Sequence, residues 1–285
     1  MKPEILIQRA NFHKSLVESG VLSIDSHDIA SNADSASKLS KNIALYIANA
    51  LGAAHRQKAI GQTAGALFEE ATMVFLRNTF LKLNNLRPGK WHIEKLGNRN
   101  AIKTHSFVQY AHLEYISNLT MTDKTLATSL GNDYMVAPDV VIFREPEPDE
   151  VINEDAFLVD DNVATLSDIR KKYNSLPILH ASISAKWTMR SDRAQNSRTE
   201  ALGLIRNRKG PLPHIAVVTG EPMPGRLASL ALGTGDIDCL YHFALYELIE
   251  AVKANGAEDS IEILNVLIEG KRLKDISDLP MDLTL

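Results

Sequence analysis

Three ionisable residues stand out by type and spacing. They are Asp139, preceded by Pro138; Lys186, in the run Ser184-Ala185-Lys186; and Glu200, fourteen positions after Lys186. Two carboxylates can hold a hard divalent cation through oxygen. An ammonium group beside them can orient or activate a water molecule, or stabilise negative charge on phosphate. A lone Pro-Asp or Ser-x-Lys occurs by chance in many proteins, so the order of the set and the elements that carry it matter more than any single match. A second chemistry adjoins the first in Arg190-Ser191-Asp192-Arg193. A helix start offers free N–H groups to phosphate. Arginine reads guanine bidentately through O6 and N7, and aspartate accepts from cytosine N4. From Lys186 to Lys209 there are seven basic residues (Lys186, Arg190, Arg193, Arg198, Arg206, Arg208 and Lys209) against only Asp192 and Glu200. The competing structural explanation is a helix cap with ordinary surface ion pairs.

These residues need a strand, a second strand and a helix to position them. Val140 to Phe143, inside MVAPDVVIFREP, has strand character. LPILHASISAKWT alternates, with Ser182, Ser184 and Lys186 on one face and Ile183, Ala185 and Trp187 on the other. That places Trp187 in the core rather than on a base-stacking surface. If the two strands are neighbours, Asp139 and Lys186 reach one cavity. A helix follows, capped by Ser191 or Asp192 and ended by Gly210. Arg193, Ser197, Glu200 and Leu204 form an i, i+4, i+7, i+11 row on it, which can return Glu200 toward Lys186.

The remaining elements frame this unit. The first hundred residues read mainly helical. SASKLSKNIALYIANALGAAHRQ, with Leu39, Ile43, Tyr46, Ile47, Ala50 and Leu51 as its apolar stripe, predicts one helix broken at Gly61. TAGALFEEATMVFLRNTFLKL predicts a second, capped by Thr63, with Leu67, Ala71, Val74, Phe75 and Leu81 as core positions. EPEPDEVINEDAFLVDD reads as a surface loop, LPHIAVVTGE as a buried strand, and IDCLYHFALYELIEAVKANG as one amphipathic helix ending at Gly256. A short helix is expected at Ser260 to Leu267. GTGD at Gly233 to Asp236 reads as a turn. Strands and helices are mixed, so the class is α/β or α+β around one central sheet. No boundary divides the chain: residues 1–285 are expected to form one domain, helical over about 1–90 and sheet-centred over about 91–285.

The bulk properties exclude several classes. The 285 residues suffice for a sizeable core, and the hydrophobic share of 45% and charged share of 23% are those of a globular protein. A net charge of −4 argues against a non-specific nucleic-acid coat but permits a local basic cleft. The single cysteine, Cys239, rules out an intrachain disulfide and a multi-cysteine zinc site, and fits a reducing compartment. MKPEILIQRANFHKS lacks the apolar core of a secretory signal, and VVIF and IAVV are too short to span a bilayer, so a cytoplasmic protein is expected. The sequence holds no GxGxxG after a strand, no GxxxxGK[ST], no GxSxG and no HExxH, which removes the motif-bearing metabolic enzymes. The nine histidines show no paired metal spacing, and His180 and His214 are expected to be ordinary strand residues.

Pro138-Asp139, Ser184-Ala185-Lys186 and Glu200 together resemble a variant of the PD-(D/E)XK nuclease motif. The usual motif has an acid two residues before the lysine; here Ser184 occupies that slot and Glu200 on the following helix takes over. That exchange is similar to the type II restriction endonucleases that cut around a CCGG core, and the chain looks most like the branch that cuts GCCGGC. The resemblance implies a restriction-endonuclease-like core, a mixed β-sheet flanked by helices, in a bacterial, cytoplasmic enzyme of a restriction-modification system. It implies Mg²⁺ as cofactor, two per active site, with Asp139 as central ligand, Glu200 completing the metal site, and the backbone carbonyl of Ala185 as a further ligand. A close relative carries cysteine at the Ala185 slot, a mild departure because any residue supplies a carbonyl. Lys186 would position the attacking water, Ser184 would lie at the site, and Glu69, or its neighbour Glu70, would add an acid. Arg190, Asp192 and Arg193 would read the inner CCGG. Arg226, with Asp34 or a neighbour, would read the outer pairs, and Gln62 would reach the minor groove. Double-stranded DNA is the implied partner, in a homo-oligomer: a dimer at least for a palindrome, a tetramer by resemblance. Two other readings remain at this point, a repair-type nuclease of the same fold and a sequence-specific DNA binder of that fold that does not cleave.

Overall fold

The computed structural model describes residues 2–56, 61–95, 104–125, 128, 138–189, 191–233 and 235–285; the side chains of residues 61–62, 117, 121 and 191–194 are not described. Among the described residues three α-helices precede the first strand: α1 (Glu4–Glu18), α2 (Lys38–Ala50) and α3 (Gly61–Thr79). Six strands then form one sheet in the order β1-β2-β3-β4-β5-β6. They are β1 (Trp91–Lys95), β2 (Val140–Arg144), β3 (Ile178–Lys186), β4 (His214–Thr219), β5 (Cys239–His242) and β6 (Leu273–Asp275). β1, β2 and β3 run antiparallel as a meander; β3 to β6 run parallel. Parallel pairing demands crossovers. These are α5 (Ser191–Asn207) between β3 and β4, α6 (Pro224–Ala231) between β4 and β5, and α7 (Leu245–Ala254) with α8 (Glu258–Glu269) between β5 and β6. Another helix, α4 (Leu113–Thr122), lies between β1 and β2. The mixed sheet flanked by helices is the expected class.

The core explains which expectations hold. α3 packs on α1 and against β1, β2 and β3, while α2 packs on α7 and α6 on α8. One apolar cluster joins Phe12 and Leu16 of α1, Phe68 and Phe75 of α3, Ile142 of β2, Ile183 of β3 and Val218 of β4. β3 is buried along both faces, as a central strand covered on both sides must be. Trp187 lies against Phe68 and Phe243, each at 5.1 Å between ring centroids, so it is a core residue. His180 is buried and its Nε2 lies 2.7 Å from the Leu283 carbonyl; burial pushes its pKa down to about 3.

Several element boundaries differ from the sequence expectation. The first predicted helix stops at Ala50, because Gly52 takes a left-handed φ of 71° that turns the chain out of the helix. Its buried stripe is Ile43, Ala44, Ile47 and Ala48, whereas Tyr46 is exposed. Gly61 opens α3 instead of breaking a helix, so Thr63 sits inside it, and Val74 and Leu81 face outward. The predicted single helix over 237–256 is divided. Cys239 to His242 are all buried and form β5, and only Leu245–Ala254 is helical. A short, wholly buried apolar run carries no period that separates strand from helix. The acidic excursion after β2 is also structured: Arg170, 1% exposed, donates to Asp149 Oδ1 at 2.9 Å and to the Asp160 carbonyl at 2.9 Å. A second buried arginine, Arg9 of α1, donates to both oxygens of Asp275 and both of Glu247 at 2.6–3.0 Å, tying α1 to β6 and α7.

Candidate active site

The sheet brings Asp139 and Lys186 together as neighbouring-strand residues. Val140 is opposite Ile183 in the antiparallel β2–β3 pair, so Asp139, one residue before β2, lies level with Ser184. Asp139 Oδ2 accepts from Lys186 Nζ at 2.7 Å, from the Ala185 N–H at 2.8 Å and more weakly from Ser184 Oγ at 3.4 Å. Both ionic side chains keep some access to solvent, at 18% for Lys186 and 17% for Asp139. The backbone explains the cluster. β2 begins at Val140, so beyond it the edge of β3 has no strand partner on that side among the described residues, and the Asp139 carboxylate accepts from the Ala185 N–H there. N–H and C=O of a strand residue face the same edge, so the Ala185 carbonyl belongs to this edge too.

α5 returns the second carboxylate. Ser197 and Leu204 of the predicted inward row are buried, and Glu200 lies half-buried between them. Ser197 Oγ is 3.5 Å from Ser184 Oγ, which fixes that face of the helix over β3. Burial raises the Glu200 pKa; the Lys186 charge opposes this, the Asp139 charge adds to it, and a hydrogen bond from Ser184 opposes it. Two carboxylates thus feel each other across a half-buried space with one ammonium beside them. Among the described residues no group of three or more His, Cys, Asp or Glu is placed to hold a metal ion. A hard cation such as Mg²⁺ does not need one. It is commonly held by one or two carboxylates, with water and substrate phosphate completing the shell. The oxygen-only donor set of Asp139, Glu200 and the Ala185 carbonyl fits such an ion, and the unfavourable pairing of the two carboxylates is what a cation relieves.

The other predicted residues fall into three groups. Glu69 is half-buried on α3 and pairs with Lys95 at 2.8 Å, while Glu70 is exposed. Lys95 is in register with Val140, so Glu69 reaches the sheet on β1, next to the strand that Asp139 precedes. Arg226 and Asp34 are brought together as an ion pair, although they lie far apart in sequence. Arg190 lies outside the described residues, and so do the side chains of Asp192, Arg193 and Gln62, although the backbone places Asp192 and Arg193 in the first turn of α5. Not all of the basic segment faces one way: Arg198 turns to the last carbonyls of α6, donating to Ser229 at 2.9 Å and Leu230 at 3.1 Å.

Sequence reasoning missed Glu221 and Lys95. Glu221 follows β4 and is 1% exposed. Its Oε2 accepts from the Met189 N–H at 2.9 Å and its Oε1 from the Met223 N–H at 3.2 Å. An acid in the Gly-Glu-Pro run directly after a buried strand was the available signal. Lys95 ends a short strand whose partner could not be known before the sheet order was.

Known proteins resemble the chain over its full length. The family described as "NgoMIV restriction enzyme" matches residues 12–285. The chain is 46% identical over 286 aligned residues, covering 100% of both chains, to the "Type II restriction enzyme NgoMIV" of Neisseria gonorrhoeae. A solved "Restriction endonuclease PspGI-substrate DNA complex" aligns over 99% of this chain and 92% of that one, at 13% identity and a TM-score of 0.29, too low to bear on the fold. On the family match and the full-length relative, the chain belongs to the NgoMIV family of type II restriction enzymes.

Proposed function

We propose that this restriction enzyme is a Mg²⁺-dependent endonuclease that cuts both strands of the palindrome GCCGGC and leaves 5′-phosphate and 3′-hydroxyl ends. The observation that carries the chemistry is Lys186 Nζ at 2.7 Å from Asp139 Oδ2, with Glu200 returned to the same space by α5. Asp139, Glu200 and the Ala185 carbonyl would hold the cation, with two ions expected. Bound there, it would supply charge stabilisation to the phosphate and acidify water. Lys186 orients the attacking water and offsets charge on the phosphate. Ser184 lies between Asp139 and Glu200, and its one hydroxyl proton can be given to either carboxylate. Glu69 is favoured over Glu70 as the additional acid, because Glu69 points toward the sheet and Glu70 toward solvent.

Base readout falls to the start of α5. Arg190, Asp192 and Arg193 carry the donors and acceptor that match inner G·C pairs. The Arg226–Asp34 pair suits an outer G·C pair: guanidinium to guanine, carboxylate to cytosine N4. In the free protein these two neutralise each other, so each would exchange its partner for a base. Gln62 is assigned to the minor groove. A two-fold target requires a two-fold reader, hence a homodimer at least. The excursion between β2 and β3 leaves Phe157 81% and Leu166 96% exposed, apolar surface that supports a further association into tetramers.

The test is incubation of purified protein and Mg²⁺ with plasmids carrying no, one or two GCCGGC sites, with the ends mapped. Discrete cuts at those sites support the whole proposal, and faster cutting of the two-site plasmid supports the tetramer. Discrete cuts elsewhere overturn the target sequence alone. Specific binding without cleavage would replace the nuclease with a binder of the same fold.

A further inference from the structure

Glu221 is the buried carboxylate outside the Asp139 cluster that touches the reading apparatus from both sides. It sits two residues beyond β4, and its two oxygens are spent on two backbone N–H groups from different segments. One is Met189, the residue before Arg190, where β3 gives way to the α5 turn. The other is Met223, the residue before α6, which carries Arg226. Glu221 Oε1 also lies 3.7 Å from Arg226 Nη1, and Arg226 in turn pairs with Asp34. The Glu221 backbone is itself fixed, since its N–H donates to Thr219 Oγ1 at 3.2 Å. Next to it, Gly220 accepts from Asn32 Nδ2 at 2.7 Å, which brings the chain that leads to Asp34 onto the same corner. No space is left for a side chain at Gly220, because an added Cβ would meet the Trp187 carbonyl oxygen at 2.8 Å.

A buried carboxylate bound to two main-chain donors is a rigid clamp, as charge-assisted hydrogen bonds are short and strong. We propose that Glu221 is a positioning residue for sequence discrimination, holding the inner-pair readers at the head of α5 and the outer-pair readers Arg226 and Asp34 in one fixed register. This inference rests on the proposed readout of GCCGGC. It makes a prediction that readout alone does not: loosening one residue that touches no base relaxes discrimination at the inner and the outer pairs together.

The variant is Glu221→Gln. Its amide has a single acceptor oxygen, and its NH₂ would confront one of the two N–H groups, so one clamp bond is lost while volume is kept. Wild type and variant are compared by kcat/KM on duplexes carrying GCCGGC, a change in one outer pair, or a change in one inner pair, with thermal melting as a fold control. The expected result is a folded variant whose preference for GCCGGC falls by roughly tenfold against both altered sites, the scale of one charge-assisted bond. Unchanged ratios in a wild-type background that cuts GCCGGC overturn the inference alone; relaxation at the outer pair only reduces Glu221 to a partner of Arg226 and overturns it too. A wild type that cuts none of the duplexes overturns the nuclease proposal and this inference with it. Should the glutamine variant not fold, Glu221→Asp, which keeps the charge but is too short to span both amides, is carried through the same comparison.

Discussion

Replacing Glu200 by glutamine should stabilise the metal-free protein while abolishing cleavage. Lys186 gives its ammonium to Asp139 at 2.7 Å, and Asp139 is further satisfied by the Ala185 N–H at 2.8 Å. Among the described residues Glu200 has no such ion pair. Burial is the main reason its pKa is raised, the Asp139 charge raises it further, and Lys186 opposes both only in part. At neutral pH the ionised carboxylate is therefore better solvated in the unfolded chain than in the fold. A neutral amide of equal size removes that penalty, and gains at such functional sites run to about 1–2 kcal/mol. For a chain of this size that raises Tm by roughly 2–8 °C. The sign can be checked by pH. Because the folded pKa lies above the unfolded one, the penalty is full above the folded value and is relieved as pH falls through it, so the difference between variant and wild type should close on acidification. Mg²⁺ should reverse the order: a ligand at 100 times its Kd stabilises by about 2.7 kcal/mol, and the wild type should gain more of this than the variant. Cleavage of a GCCGGC plasmid should drop about 100-fold or more. The assay is scanning calorimetry of both proteins in EDTA and in Mg²⁺, beside plasmid cleavage. A glutamine variant that melts below wild type in EDTA, or that gains from Mg²⁺ in step with wild type, refutes the carboxylate-pair reasoning.

Three further outcomes are expected. Lys186→Ala should abolish cutting yet keep specific binding in a gel-shift assay, and wild-type cleavage rates would remove Lys186 from the mechanism. Arg193→Ala should lose about 1–3 kcal/mol of discrimination at one guanine in competition binding; equal losses on every sequence would mark a phosphate contact instead. Gly220→Ala should cost about 1–3 kcal/mol in denaturant melts, because its Cβ would meet Trp187 Cε3 at 2.5 Å in a packed corner; an unchanged midpoint would show that Trp187 yields easily.

Mutual support from local pattern made most of the catalytic unit legible in the sequence. The alternation Ser182, Ser184, Lys186 against Ile183, Ala185, Trp187 fixed which side of β3 holds chemistry, because strand side chains alternate strictly. The 3.6-residue period of α5 put Ser197, Glu200 and Leu204 on one inward row. Thus the sides on which Lys186 and Glu200 leave their own elements were readable before any coordinates, whereas their meeting with Asp139 was conditional on β2 lying beside β3. β5 was lost to a helical reading because Cys239, Leu240, Tyr241 and His242 are all buried, and a uniformly apolar run has no period. β6 has only three residues, too few for a pattern to show.

What the sequence determined by itself was local: the strand, the second strand, the helix, and the carboxylate and ammonium chemistry each carries. Only the tertiary structure decided which distant groups meet. It put Glu69 on Lys95, paired Arg226 with Asp34, turned Arg198 away to the end of α6, and closed Glu221 on Met189 and Met223. The physical reason is that periodicity constrains which way a side chain leaves its own element, whereas partners across the sheet follow from strand order and from helix packing in a shared core, and neither is written in any one segment.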